Sequence, residues 1–155
     1  MGSFGTTTVI GRRHELHVTV DGAKQLAAFR RRLRAFLASG HATAEEREAV
    51  VLAAVEALNN ALQSCEPAAC QVEATVSLIA DHVCVEVRDA GVGARGVCVS
   101  LVKLPTQAEE HGRGLYLMGQ LMESLELVSR SQGTLVRMTK RLEARDSADS
   151  ERLAG

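Results

Sequence analysis

Residues 85–96 read VEVRDAGVGARG. Val85 and Val87 alternate with Glu86 and Arg88, the two-residue period of a half-buried strand, and the alternation stops at Asp89. Gly91, Gly93 and Gly96 follow. A carboxylate at a strand end, next to a turn so poor in side chains, leaves backbone open to close approach by another group. The GxGxxG spacing invites a dinucleotide-binding reading, but that fingerprint must open a helix. Residues 97–102 (VCVSLV) are rich in β-branched side chains and Pro105 follows soon after, so the dinucleotide reading is set aside.

Working outward, residues 72–79 and 83–87 are β-branched runs joined across Asp81 and His82, which reads as an antiparallel hairpin. Upstream, Thr43 with Glu46 three residues on forms a capping box, and it opens a helix that runs to about Ser64 and ends before Pro67. Residues 14–20 (HELHVTV) predict the first strand, with Asp21 as N-cap of a helix that reaches about Ser39 and stops at Gly40. Along that helix Arg30, Arg31, Arg32 and Arg34 alternate with Leu26, Phe29, Leu33 and Phe36, which makes the arginines its wet face. Downstream, residues 96–111 keep neither period for long and contain Pro105, so a loop with at most one helical turn is expected. Residues 114–122 predict a short apolar helix, and residues 125–130 and 134–141 a last hairpin across 131–133.

That order gives mostly antiparallel neighbours with helices that all pack on one face, an α+β two-layer sandwich. One domain over residues 10–142 is expected, with a flexible segment at 1–9 and a disordered tail over 143–155, where Glu, Arg, Asp, Ser and Ala dominate. The 155 residues suffice for one sizeable core, and 46% apolar with 24% charged side chains is ordinary for a globular chain. Eighteen basic against nineteen acidic residues leave a net charge of −1, so no long-range field selects nucleic acid or an anionic membrane. No apolar run reaches membrane-spanning length and no signal peptide is visible, which points to the cytoplasm. Cys65, Cys70, Cys84 and Cys98 form no CxxC pair and no zinc-like spacing, so reduced, buried thiols are expected.

Two features carry chemistry. Glu56 and Asn60 lie four residues apart on the second helix, about 40° apart around its axis, and project the same way. Ala53, Ala57 and Ala61 beside them let another group come close. The second feature is His111-Gly112-Arg113-Gly114-Leu115, a glycine turn that opens the short helix and offers its amides and dipole to an anion. Two glycine turns around an irregular loop make a hinged lid over a phosphate site, which suggests a nucleotide.

EALNNA (56–61), DAGVG (89–93), HGRGL (111–115) and QGTLVRMTK (132–140) resemble, in order and spacing, the N, G1, G2 and final glycine boxes of the GHKL ATP-binding fold. That superfamily includes histidine kinases, gyrase B and the Hsp90 chaperones. Within it, a short domain with two helices before the first hairpin resembles the anti-sigma-factor serine kinases of bacterial partner switching, over roughly residues 10–142. The resemblance implies a mixed sheet with helices on one face and Mg-ATP held between helices and lid. It implies that Asp89 accepts a hydrogen bond from the adenine amino group, that Gly91 and Gly93 let the backbone pass close to base and sugar, and that Thr134 reaches the adenine. Asn60 would coordinate magnesium, Gly112, Arg113, Gly114 and Leu115 would form the phosphate cradle, and Glu56 would be the general base.

The implied function is a cytoplasmic anti-sigma factor that binds a sigma factor and uses Mg-ATP to phosphorylate a serine of an anti-anti-sigma (STAS-domain) partner, as a homodimer, without contacting nucleic acid or membrane directly. Glu109 and Glu110 depart from the pattern, because such kinases carry a basic residue two positions before the equivalent of Gly112, and two carboxylates there repel phosphate. Ser64 stands where relatives often have histidine. A nucleotide-gated binding module without transfer is the first rival reading. The ATP-binding part of a histidine kinase is the second, weakened because His14 lies in a strand and only about ten residues precede it where a helical dimerisation segment would be needed.

Overall fold

The computed structural model of the chain describes residues 5–10, 13–65, 70–90, 98–100, 113–130 and 133–143. The chain runs through β1 (Thr7–Ile10), β2 (Arg13–Val20), a 3₁₀ turn (Ala23–Gln25), α1 (Leu26–Ala38), α2 (Ala44–Ser64), β3 (Val72–Ile79) and β4 (His82–Asp89). It continues through β5 (Cys98–Ser100), α3 (Arg113–Leu121), β6 (Ser124–Arg130) and β7 (Gly133–Arg141). One seven-stranded sheet results, in the order β1-β2-β3-β4-β7-β6-β5. Every described pairing is antiparallel, so the mixed sheet implied by the resemblance shows no parallel pair among the described residues. The α+β sandwich is otherwise as expected, with the helices packed on the sheet.

The core lies between these layers. Val83, Val85 and Val87 of β4 are buried at alternate positions, as are Val72, Ala74 and Val76 of β3. Val51, Val55 and Leu58 of α2 and Phe29, Leu33 and Leu37 of α1 fill the helical layer. Each of the Val, Leu and Phe side chains among them contributes about 1.5–3 kcal/mol relative to exposure.

Helix α2 begins as its sequence predicts. The Thr43 N–H donates to Glu46 Oε2 at 2.7 Å and the Glu46 N–H donates to Thr43 Oγ1 at 3.2 Å. Its buried Ala53, Ala54, Ala57 and Ala61 carry little bulk, which lets α3 pack closely against it.

Several expectations change. Asp21 is not a helix cap: extended Gly22 and the 3₁₀ turn intervene, and the Asp21 N–H instead donates to Gln25 Oε1 at 2.9 Å. Thr7–Ile10 form an edge strand that begins inside the segment 1–9 expected to be flexible, because the β-branched run TTVI pairs with β2. The first hairpin turns one residue earlier than expected: Ile79 pairs with His82, and Ala80 takes a left-handed φ of 53°. Cys98–Ser100 pair with β6 inside the expected loop. Cys65 and Cys70, expected as reduced thiols, are joined in a disulfide with Cα atoms 5.7 Å apart. Cys84 is a free, half-buried thiol on β4.

Candidate functional site

Strand β4 carries Asp89 to the end of the sheet, between Val72 of β3 and Thr134 of β7. Asp89 is buried, with 6% of its surface exposed. Gly133 explains why β7 can come so close there. Its φ is +104°, and a Cβ at this position would overlap the Asp89 carbonyl oxygen. No side chain fits, so glycine at 133 is what sets Thr134 opposite Asp89.

Glu56 and Asn60 are half-buried on the last three turns of α2. The first turn of α3 lies against them. A Cβ on Gly114 would come within 2.5 Å of Glu56 Oε1 and 2.8 Å of Asn60 Nδ2, so only a hydrogen fits between α3 and these two side chains. Among the described residues, neither side chain makes a hydrogen bond within the protein. The last turn of α2 is tied down just beyond them, where Ser64 Oγ donates to the Asn60 carbonyl at 2.7 Å.

These groups share one cavity of about 720 Å³. Glu56, Asn59, Asn60 and Ser64 form its α2 wall, Asp89 and Thr134 its floor at the sheet end, and Arg113 with Gly114 its rim. Leu115, Met118, Leu127 and Val136 add an apolar side. The last three were not singled out from sequence. Leu127 and Val136 are direct partners across β6 and β7, so the alternation of that hairpin held the signal once its register was known. Of the expected site residues, Glu56, Asn60, Asp89, Arg113, Gly114, Leu115 and Thr134 come together here. Gly91, Gly93 and Gly112 lie outside the described residues, as do Glu109, Glu110 and most of the expected lid.

The cavity pairs an apolar slot beside one buried carboxylate with an open polar end of carboxylate, amide, guanidinium and helix N-terminus. Such apolar lining can face an aromatic ring, and a guanidinium at a helix N-terminus can face phosphates. Among the described residues no three His, Cys, Asp or Glu side chains converge as a metal cage.

The model of the histidine kinase-like ATPase domain matches residues 20–140, a span that contains all of these groups. The chain belongs to the histidine kinase-like ATPase domain family. Membership implies ATP binding. Two solved structures share the fold of this ATPase domain. The RsbU and RsbW domains of Rv1364c from Mycobacterium tuberculosis match with a TM-score of 0.61 and 24% identity, over 84% of this chain and 34% of that one. The histidine kinase domain of the Erythrobacter litoralis EL346 blue-light activated histidine kinase matches with a TM-score of 0.51 and 22% identity, over 76% of this chain and 61% of that one. The ATPase domain thus spans about a third and three fifths of those two chains. No curated protein matches it. Among the described residues no helix is long and apolar enough to cross a membrane.

Proposed function

We propose that this ATPase domain is an anti-sigma factor that binds a sigma factor and phosphorylates a serine of a STAS-domain partner, using Mg-ATP and acting as a homodimer in the cytoplasm. The observation that carries the nucleotide part is the convergence of Glu56 and Asn60, which make no side-chain hydrogen bond among the described residues, on the cavity that Asp89 and Thr134 also line. The narrower assignment rests on the four sequence boxes. The fold shared with a structure that contains an RsbW domain agrees with them.

Bound ATP supplies the phosphoryl group, and magnesium offsets the charge that builds up during transfer. Asp89 selects adenine by accepting a hydrogen bond from its amino group, because guanine presents a carbonyl at that position and two acceptors facing each other repel. Asn60 offers an amide oxygen to the metal. Arg113 and the α3 amides hold phosphate oxygens. Glu56 takes the proton of the attacking serine hydroxyl.

A second reading, a nucleotide-gated binding module without transfer, is favoured by Glu109 and Glu110 in the sequence. Labelled ATP mixed with the protein, a sigma factor and STAS-domain proteins of the same genome separates the readings. Acid-stable label on a STAS serine supports the kinase. Nucleotide-dependent sigma-factor binding without label supports the gated module. Acid-labile label on histidine would overturn both in favour of a histidine kinase.

A further inference from the structure

Cys65 is the C-cap residue of α2, the helix that presents Glu56 and Asn60. Cys70 lies two residues before Val72, the first residue of β3 and the direct register partner of Asp89. The disulfide between them therefore joins the end of the helix carrying Asn60 to the start of the strand beside Asp89. Asn60 and Ser64, which precede Cys65 on α2, and Asp89, the register partner of Val72, all line the nucleotide cavity. A cross-link at this point restricts how far the two walls can separate.

We propose that the Cys65–Cys70 bridge is a reversible thiol–disulfide site that clamps the last turn of α2 against the β3–β4 end of the sheet and so tunes nucleotide affinity. The second half of this statement rests on the ATP reading above. Cys65 is buried and Cys70 is partly exposed, so exchange starts at Cys70. Its thiolate attacks one sulfur of a small disulfide such as glutathione disulfide, forming a mixed disulfide and releasing one glutathione thiolate. The Cys65 thiolate then attacks the Cys70 sulfur and releases the second. Two cysteine thiols are oxidised, one glutathione disulfide is reduced to two thiols, and the two cysteine protons leave with them. Cys84 does not compete, since burial and the neighbouring Glu86 carboxylate raise its pKa and keep it protonated.

The geometry also sets the direction. With the bridge closed, the turn holding Asn60 is tied at both its Ser64 hydrogen bonds and its cap. With the bridge open, only the hydrogen bonds remain. The oxidised protein should bind Mg-ATP more tightly, and by linkage ATP must make the bridge harder to reduce by the same factor. A tenfold preference would lower its reduction potential by about 30 mV.

The full chain is equilibrated in glutathione buffers of graded poise, and bridge formation is read by mass after alkylation. Mg-ATP affinity of each form is measured by calorimetry, and amide exchange at residues 60–64 is measured without nucleotide. The expected result is a bridge in the oxidising buffers, slower exchange at 60–64 in that form, and at least about threefold tighter ATP binding. Cys70→Ser should behave as the reduced form in every buffer. Failure to form the bridge at any poise overturns the proposal, as do equal affinity and equal exchange in the two forms. If neither form binds ATP, the nucleotide reading and its coupling fall together, while the exchange comparison still decides the clamp. Slower exchange in the oxidised form then upholds the clamp, and equal exchange overturns it.

Discussion

Helix α2 has a cavity at each end, and the two are nearly the same size, about 710 Å³ at its N-terminal end and about 720 Å³ at its C-terminal end. Their chemistry differs. At the first, Glu46 is buried, and its two carboxylate oxygens accept from the Thr43 N–H at 2.7 Å and the Glu143 N–H at 2.6 Å. Those bonds join the start of α2 to the residues just beyond β7. At the second, Glu56 and Asn60 have no such partners among the described residues, and Gly114 of α3 packs directly against them. Volume does not tell a structural hollow from a binding site, whereas polar groups left unspent by the fold do.

The largest effect should come from Glu56→Gln. The change keeps the size and removes the basic oxygen, so serine phosphorylation should fall by about 10² to 10⁴, some 2.7–5.5 kcal/mol of barrier, with Mg-ATP affinity nearly unchanged. Equal transfer rates in the two proteins would strip Glu56 of the base role. Absence of transfer from both, with nucleotide and sigma-factor binding kept, would favour the gated module.

Next come Asn60→Ala and Gly114→Ala, which act on binding itself. Asn60→Ala removes the proposed metal ligand and should weaken Mg-ATP by about tenfold to a hundredfold. In Gly114→Ala the new methyl meets only the far ends of the Glu56 and Asn60 side chains, which can swing aside. The fold should therefore survive. Alanine is the better helix former by up to about 1 kcal/mol, so Tm should hold or rise while ATP affinity falls at least about tenfold. A variant with lowered Tm and native affinity would show that Gly114 serves packing alone.

Base choice is a smaller effect at the same end. ATP and ADP should bind at least about tenfold more tightly than GTP, roughly 1.4 kcal/mol, in calorimetry with magnesium. Asp89→Asn should reduce that preference, since its amide can turn a donor toward the guanine carbonyl. Equal ATP and GTP affinity in the unaltered protein would remove Asp89 from the adenine site.

Much of the C-terminal end was legible in sequence because its signals are local. The Val85–Val87 alternation and the acid at 89 sit within a few residues of one another, and Thr43 and Glu46 lie three residues apart. Features that depend on distant chain segments were not legible. CxxxxC between residues 65 and 70 carries no signal until α2 ends at Ser64 and β3 begins at Val72, which brings the two Cα atoms to 5.7 Å. The Glu46 to Glu143 hydrogen bond spans 97 positions in sequence. Asp21 looked like a cap because its residue type favours one, yet the chain begins α1 through a 3₁₀ turn instead. Gly133 was visible as a glycine, but its collision partner, the Asp89 carbonyl, appears only when β4 and β7 are paired.

The smallest effect belongs to the N-terminal end and tests whether it is structural alone. Burial pushes the Glu46 carboxyl pKa up, but the Glu143 and Thr43 amides more than offset this and hold it below its ordinary 4.5. A carboxylate whose folded pKa is depressed stabilises the protein above its unfolded pKa, and that contribution is lost as pH falls through the folded value. Glu46→Gln leaves one good acceptor where there were two charged ones, so stability at pH 7 should drop by about 1 kcal/mol. The gap between the two proteins should then begin to narrow as pH falls below 4.5, the ordinary value, and go on narrowing through the lowered folded value as protonation deprives the native chain of the same charge. The comparison must be made as a difference, because Glu15, Glu48 and Asp81 also have lowered pKa values and contribute to acid unfolding in both proteins. Denaturant unfolding at pH 7 and pH 3.5 measures that gap, and a gap that stays constant would show that the Glu46 charge adds nothing to the cap. Mg-ATP affinity at pH 7 should be the same in both, since the cap lies at the far end of α2 from Asn60. A fall in affinity with Glu46→Gln would instead mean that the two ends of the helix are coupled and that the contrast between the two cavities is incomplete.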